Sequence, residues 1–323
     1  MTRRPLRRIV AAFLVLAAAT VSAQTYPSRL IRIIVPYPPG GGADITARPI
    51  AQMLSERWGQ PVIIENHGGA SGMIGADIVA KAPPDGYTLM VSASAEVALN
   101  VALFPKMPYD PVKDFAPITL ATVTPMALVV HPSVPVTSLQ DYIAIARAKP
   151  GSMTFGSVGA GSPHQFAGEW LKMLTRIDIV HVPYKGSGPL IIDLLGGHAQ
   201  SGFVTLLPAM QHVKAGRLRA LAVTTEKRVP LLPDVPALAE TLPGFDVSQW
   251  NAVWAPAGTP KDVLDKLRTE ITRIVQSADY KARMREQGSE AIGSSPSELA
   301  AFQKAEIDKY RKIAQQANIK VDQ

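Results

Sequence analysis

The chain contains no cysteine, which excludes disulfides and thiolate chemistry and leaves its stability to burial alone. It also lacks any apolar run of the roughly 20 residues needed to span a bilayer. Its 33 basic and 26 acidic residues give a formal charge of +7, but four of the basic ones are Arg3, Arg4, Arg7 and Arg8. Setting those aside leaves 29 against 26, a charge of +3. No cluster of lysines or arginines remains to supply the electrostatic footprint of a phosphate-backbone binder, so no nucleic-acid partner is expected. No G-x-G-x-x-G occurs in the glycine-rich loops, and Lys185-Gly186-Ser187 lacks the upstream glycine of a Walker A loop. The six histidines have no metal-ligand spacing, and no serine sits in G-x-S-x-G, Ser71 coming nearest. No cofactor, metal or catalytic group is therefore expected, and a serine hydrolase is the weakest of the functional readings.

The four arginines precede an apolar run, Ile9 to Ala19, and the small-residue site Val21-Ser22-Ala23. That order is a secretory signal peptide, predicting export to the periplasm with cleavage after Ala23. The paired arginines leave the general secretory and twin-arginine routes both open.

Strand-like and helix-like runs alternate through the first half: Leu30–Pro36, a helix over Ile45–Trp58, Val62–Glu65, a helix over Ile74–Ala80, then Thr88–Ser92. The rhythm repeats with Met126–Val130, helix Leu139–Ala148, Met153–Ser157, helix Pro163–Leu174 and Ile179–Val182. Each series predicts an α/β unit with a parallel sheet. Pro49 should kink the first helix locally. Thr259-Pro260 reads as a cap followed by an N1 proline, and Ser295-Pro296-Ser297-Glu298 as a capping box. The Pro- and Gly-rich stretch Val235–Gly258 reads as a crossing back between units.

Two segments share the order strand, glycine-rich turn, helix. One is Val35-Pro36-Tyr37-Pro38-Pro39-Gly40-Gly41-Gly42-Ala43-Asp44, and the other runs from Phe155-Gly156-Ser157 through Gly159-Ala160-Gly161-Ser162 to Pro163-His164-Gln165. Glycine lets a ligand approach backbone N–H groups at the positive end of a helix. One such turn is also an ordinary connection. Two, one per unit, can hold an anion between them.

These segments resemble the periplasmic receptors of tripartite tricarboxylate transporters, the Bug proteins. The likeness extends to Glu65-Asn66-His67-Gly68-Gly69-Ala70-Ser71-Gly72, Asp85-Gly86-Tyr87, Val182-Pro183-Tyr184-Lys185-Gly186-Ser187, Leu194-Leu195-Gly196-Gly197, Leu221-Ala222-Val223-Thr224-Thr225 and Ala255-Pro256-Ala257-Gly258-Thr259-Pro260. It implies a periplasmic-binding-protein type II fold: two α/β lobes, a ligand cleft and a two-strand hinge. Residues 24–124 and 248–323 would form lobe 1 and residues 125–247 lobe 2. It further implies a monomer that captures a small carboxylate and passes it to a membrane permease, or signals its occupancy to a membrane sensor.

Carried over by position, Tyr37, Gly40, Gly41 and Asp44 would hold the ligand from lobe 1. Ser157, Ala160, Gly161, Ser162 and His164 would hold it from lobe 2, with Ser92, Tyr184 and Thr205 lining the cleft. Asp44 is equally readable as a helix cap, Tyr184 as packing at a strand end, and His164 as a helix-surface residue. Where the family often has Phe-Asp-Asn, this chain has Phe203-Val204-Thr205. The acid suited to a ligand amine is missing, which points to a di- or tricarboxylate or an aromatic acid.

Overall fold

The computed structural model describes residues 26–319; the leader and its cleavage site lie outside these. In chain order the first elements are β1 (Ile31–Val35), α1 (Gly42–Trp58), β2 (Val62–Asn66), α2 (Met73–Ala80) and β3 (Thr88–Ala93). A π turn, Ala95–Leu99, leads into the short α3 (Asn100–Leu103), followed by β4 (Phe115–Thr124). Next come β5 (Met126–Val130), α4 (Leu139–Ala148), β6 (Thr154–Ser157), α5 (Pro163–Thr175), β7 (Val180–Pro183) and α6 (Ser187–Leu195). They continue with β8 (Ser201–Thr205), α7 (Leu206–Lys214), β9 (Arg219–Val223) and α8 (Leu238–Thr241). The chain ends with β10 (Gln249–Pro256), α9 (Lys261–Gln276), α10 (Ala278–Glu286), β11 (Glu290–Ala291) and α11 (Pro296–Ala317).

The strands form two sheets, ordered β11-β4-β10-β3-β1-β2 and β7-β6-β8-β5-β9. These are the two α/β lobes. The sheets are mixed rather than parallel throughout. β1, β2 and β3 run parallel, as do β6, β7 and β8. β10 lies antiparallel to β3 and β4, and β5 antiparallel to β8 and β9. β10 is buried over nearly its whole length, so it shows no alternation between faces. The stretch read as a crossing therefore contains a central strand.

The chain crosses between sheets twice. Pro125 joins β4 to β5, and residues 224–248 return it to β10, where Gln249 pairs with Thr124. The two crossing strands lie side by side as the hinge. α11 spans both lobes at the back: its Tyr310 meets Phe166 of α5 edge to face, with ring centroids 5.1 Å apart. Such a pair adds about 1 kcal/mol beyond its buried area. Lys309 donates to the Asp246 carbonyl at 2.7 Å, and Trp250 Nε1 to Glu306 at 2.9 Å. One apolar core thus runs from Ile34 and Trp254 through α11 to Phe155 and Phe203.

Local signals hold in some places and shift in others. Ser295 forms the expected capping box, its hydroxyl accepting from Glu298 N while Glu298 accepts from Ser295 N. Thr259 does not cap: its hydroxyl donates to Pro256 O, and α9 starts after Pro260. α1 begins at Gly42, three residues earlier than its apolar spacing indicates, and runs unbroken through Pro49.

Candidate functional site

The parallel strands place β1, β2 and β3 of lobe 1, and β6, β7 and β8 of lobe 2, with their carboxyl ends on one edge of each sheet. A helical segment starts after each end. Ligands of open α/β sheets collect at such edges.

In lobe 1 the turn after β1 brings Gly40 into the left-handed region, φ +85°, and makes Gly41 the N-cap of α1 without a side-chain cap. Among the described residues, no group accepts from the N–H of Gly41, Gly42 or Ala43. These donors sit where the helix dipole is equivalent to roughly half a positive charge. A β-carbon on Gly41 would meet only Pro38 O at 3.5 Å and Tyr37 Cβ at 3.9 Å. The backbone there is open on its outer side.

Asp44 clasps this loop. Its carboxylate accepts from Gly40 N at 2.8 Å, from Arg48 Nε and Nη2 at 2.7 and 2.9 Å, and from Asn66 Nδ2 at 3.0 Å. Asn66 also donates to Tyr37 O. Burial raises the Asp44 pKa, but the bonds from Arg48, Gly40 and Asn66 outweigh it and hold the group below the usual carboxylate range. The helix-cap reading of Asp44 needs correcting: Gly41 is the N-cap, and the Asp44 carboxylate is bonded within the loop. An anionic ligand facing it directly would be repelled. Asp44→Ala should cost about 2 kcal/mol of stability by orphaning Gly40 N and Asn66. It should also weaken ligand binding at least about tenfold by loosening the loop, 1.4 kcal/mol in binding terms. Thermal melts and titration calorimetry would check both, and unchanged affinity would refute the clasp.

The neighbouring loop carries strain. Gly69, Ala70, Ser71 and Gly72 all have positive φ, two of them without glycine's freedom. Such conformations cost about 1–3 kcal/mol each and collect at functional sites.

In lobe 2, Ser162 caps α5: its hydroxyl accepts from Gln165 N and donates to Gly159 O at 2.6 Å. Gln165 reaches back to Gly161 N at 2.7 Å rather than to the cap's own N–H. The N–H groups of exposed Ala160 and of His164 have no acceptor among the described residues. The turn therefore keeps free donors, as lobe 1 does. The N-cap of α6, Gly186, has no side-chain cap either.

Several expected side chains lie beneath the cleft surface instead of on it. Ser92 is fully buried and accepts from Trp254 Nε1 at 2.8 Å. Ser157, also fully buried, bonds His181 Nε2 at 2.7 Å and Gly159 O at 3.0 Å. The Tyr184 hydroxyl donates to Asp193 at 2.9 Å, and burial together with that acid pushes its pKa up to about 12. It sits at the end of β7, its hydroxyl engaged with Asp193. His164 is fully buried, not on the helix surface, and burial lowers its pKa to about 3. The neutral ring places Nε2 3.3 Å from Thr205 Oγ1, which in turn donates to Gln249 Oε1 at the hinge.

Sequence reasoning missed the roles of Asn66, His181, Gln249 and Asn251. Asn251 Nδ2 donates to Thr122 at 2.9 Å and would stand 3.9 Å from a β-carbon on Gly42. Each acts across strand pairings, so only the sheet order could reveal it.

The sequence pattern of the tripartite tricarboxylate transporter family receptors matches residues 46–319. Protein BugT of Bordetella pertussis is 37% identical, over 94% of this chain and 94% of its own. A solved R. palustris protein with adipate is 38% identical at TM-score 0.78, covering 91% of this chain and 99% of that one. MatC from Rhodopseudomonas palustris with bound malate is 32% identical at TM-score 0.74, covering 89% and 99%.

Proposed function

The chain belongs to the tripartite tricarboxylate transporter family of receptors, and from that premise we propose that it captures a linear, non-amino dicarboxylate between its lobes for a membrane permease. The carrying observation is the pair of strand-to-helix turns, one per lobe, each leaving backbone N–H groups without an acceptor among the described residues at the positive end of a helix: Gly41, Gly42 and Ala43 in lobe 1, Ala160 and His164 in lobe 2. Two carboxylates on a short chain match two such ends. Adipate and malate, bound by the two R. palustris relatives, are of this type. Thr205, where the family often has an asparagine beside an acid, gives no partner for an ammonium group.

We divide the chain into lobe 1 at 24–124 and 248–323 and lobe 2 at 125–247, a reading supported by the sheet to which each described strand belongs. The receptor works as a periplasmic monomer released after Ala23. Beside the exposed pair Ser133 and His131, a hydrolase reading has one buried pair to consider among the described residues, Ser157 and His181. The serine is buried, its hydroxyl is shared with Gly159 O, and no described carboxylate orients the histidine. Burial and the Lys172 charge hold His181 down to about 4, which makes it a poor general base.

Titration calorimetry with adipate, malate and aspartate tests the proposal. Adipate or malate should bind at least about tenfold tighter than aspartate, a gap of 1.4 kcal/mol or more. Because backbone groups in a closed cleft hold the charge, affinity should change little with salt, unlike an exposed ion pair screened over about 8 Å. Equal affinity for aspartate, or no binding of either dicarboxylate, would reject it.

A further inference from the structure

Glu96 is a fully buried acid of the first lobe that takes no part in the site described above. It lies in the π turn after β3, and neither carboxyl oxygen completes a hydrogen bond of ordinary geometry, the nearest donors being the Tyr37 hydroxyl and the backbone N–H groups of Ala93 and Glu96 itself. Its side chain packs under the strained loop so closely that a β-carbon on Gly72 would stand 2.2 Å from Oε1. Tyr37, from the turn ahead of α1, faces it without completing a hydrogen bond of ordinary geometry. Glu96 therefore touches both lobe 1 loops that border the cleft.

The other groups around it are neutral or acidic. Tyr109 donates its hydroxyl to the Glu96 carbonyl at 2.9 Å and senses Asp77 of α2 beyond, whose charge is paired with Lys81. Asn100 of α3 donates to Ser71 O, and α11 contributes Gln303, which bonds Val97 O. Among the described residues no basic side chain reaches the Glu96 carboxyl. Burial in these surroundings favours the neutral acid and raises its pKa to about 8.

We propose that this receptor binds its carboxylate ligand with Glu96 as the neutral acid and loses affinity when that carboxyl ionises. As an acid, Glu96 adds no charge beneath the loops. As an anion, it puts a negative charge behind the same helix ends that attract the ligand, in a poorly screened interior. Ionisation also drives the carboxyl to seek water or a partner, and Gly72 and Tyr37 cannot stay in place if it moves. Both effects act in one direction, making capture proton-linked. The inference rests on the receptor reading above.

Calorimetry with adipate, which stays fully ionised from neutral pH upward, isolates the protein's own titration. Wild-type affinity should fall by roughly tenfold between pH 7 and pH 9, no steeper than one decade per pH unit because one proton is linked. Glu96→Gln should flatten the profile and bind at pH 9 more tightly than wild type. A measurement on the unmodified protein supports the variant: heats of binding at pH 8.5 in buffers of different ionisation enthalpy should show a fraction of a proton taken up per adipate. A flat wild-type profile with no proton uptake, or the same slope in Glu96→Gln, would overturn the proposal. Absence of adipate and malate binding at every pH would instead reject the receptor reading, and this one with it.

Discussion

Replacing Gly41 with valine should abolish detectable ligand binding, a loss beyond about 100-fold or 2.7 kcal/mol, while the melting temperature shifts by only a few degrees. Gly41 has φ −76° and ψ 167°, extended backbone that valine adopts without strain. The added β-carbon meets only ordinary contacts, so the fold loses little beyond the modest preference of an N-cap for glycine over valine. The side chain would stand over the free N–H groups of α1 and keep a carboxylate away from them. Gly40 is the contrasting position: at φ +85°, valine there should cost about 1–2 kcal/mol of stability even though space is open. Adipate calorimetry beside thermal melts separates the two effects. Full affinity in Gly41→Val would remove lobe 1 from the site.

A larger effect on stability should appear at Glu96. Its pKa is raised from 4.5 to about 8 in the folded chain, above the unfolded value. The protein is therefore at its full stability, as far as this group is concerned, below about pH 4.5, and loses it as pH rises towards 8. The span corresponds to roughly 5 kcal/mol, since one pKa unit is worth 1.36 kcal/mol. Urea unfolding of wild type and Glu96→Gln across pH 5 to 9 should give curves that diverge by several kcal/mol, the variant keeping its stability at the alkaline end. Parallel curves would mean that Glu96 ionises in place, already solvated or paired.

The sequence exposed most clearly what chain neighbours decide. The Leu139–Ala148 helix matches its apolar spacing, and the final helix starts where Ser295 and Glu298 cap each other. Those signals are short-range hydrogen bonds and a 3.6-residue period, both written locally. β10 was hidden because burial on both faces removes the alternation that marks a strand. Its place between β3 and β4 pairs Asn251 with Ala93 and Thr122, which no local pattern encodes. The candidate site divides in the same way. The two glycine turns are readable as chain, but the use made of Asp44 depends on Asn66 arriving from β2, in register with Val35. Glu96 gave no signal at all, since an acid after a strand ordinarily faces water and only the packing of Gly72 and Tyr37 seals this one in.

The shared core beneath α11 also sets how the two lobes can move. Phe166 and Tyr310 in edge-to-face contact and Lys309 on the Asp246 carbonyl stitch one side together. Pulling that side apart would expose close-packed apolar surface at about 25 cal/mol for each Å². Paired crossing strands twist at far lower cost. Any rotation of one lobe against the other is therefore expected to pivot beside α11 and twist the crossing strands, carrying each glycine turn along with its own sheet.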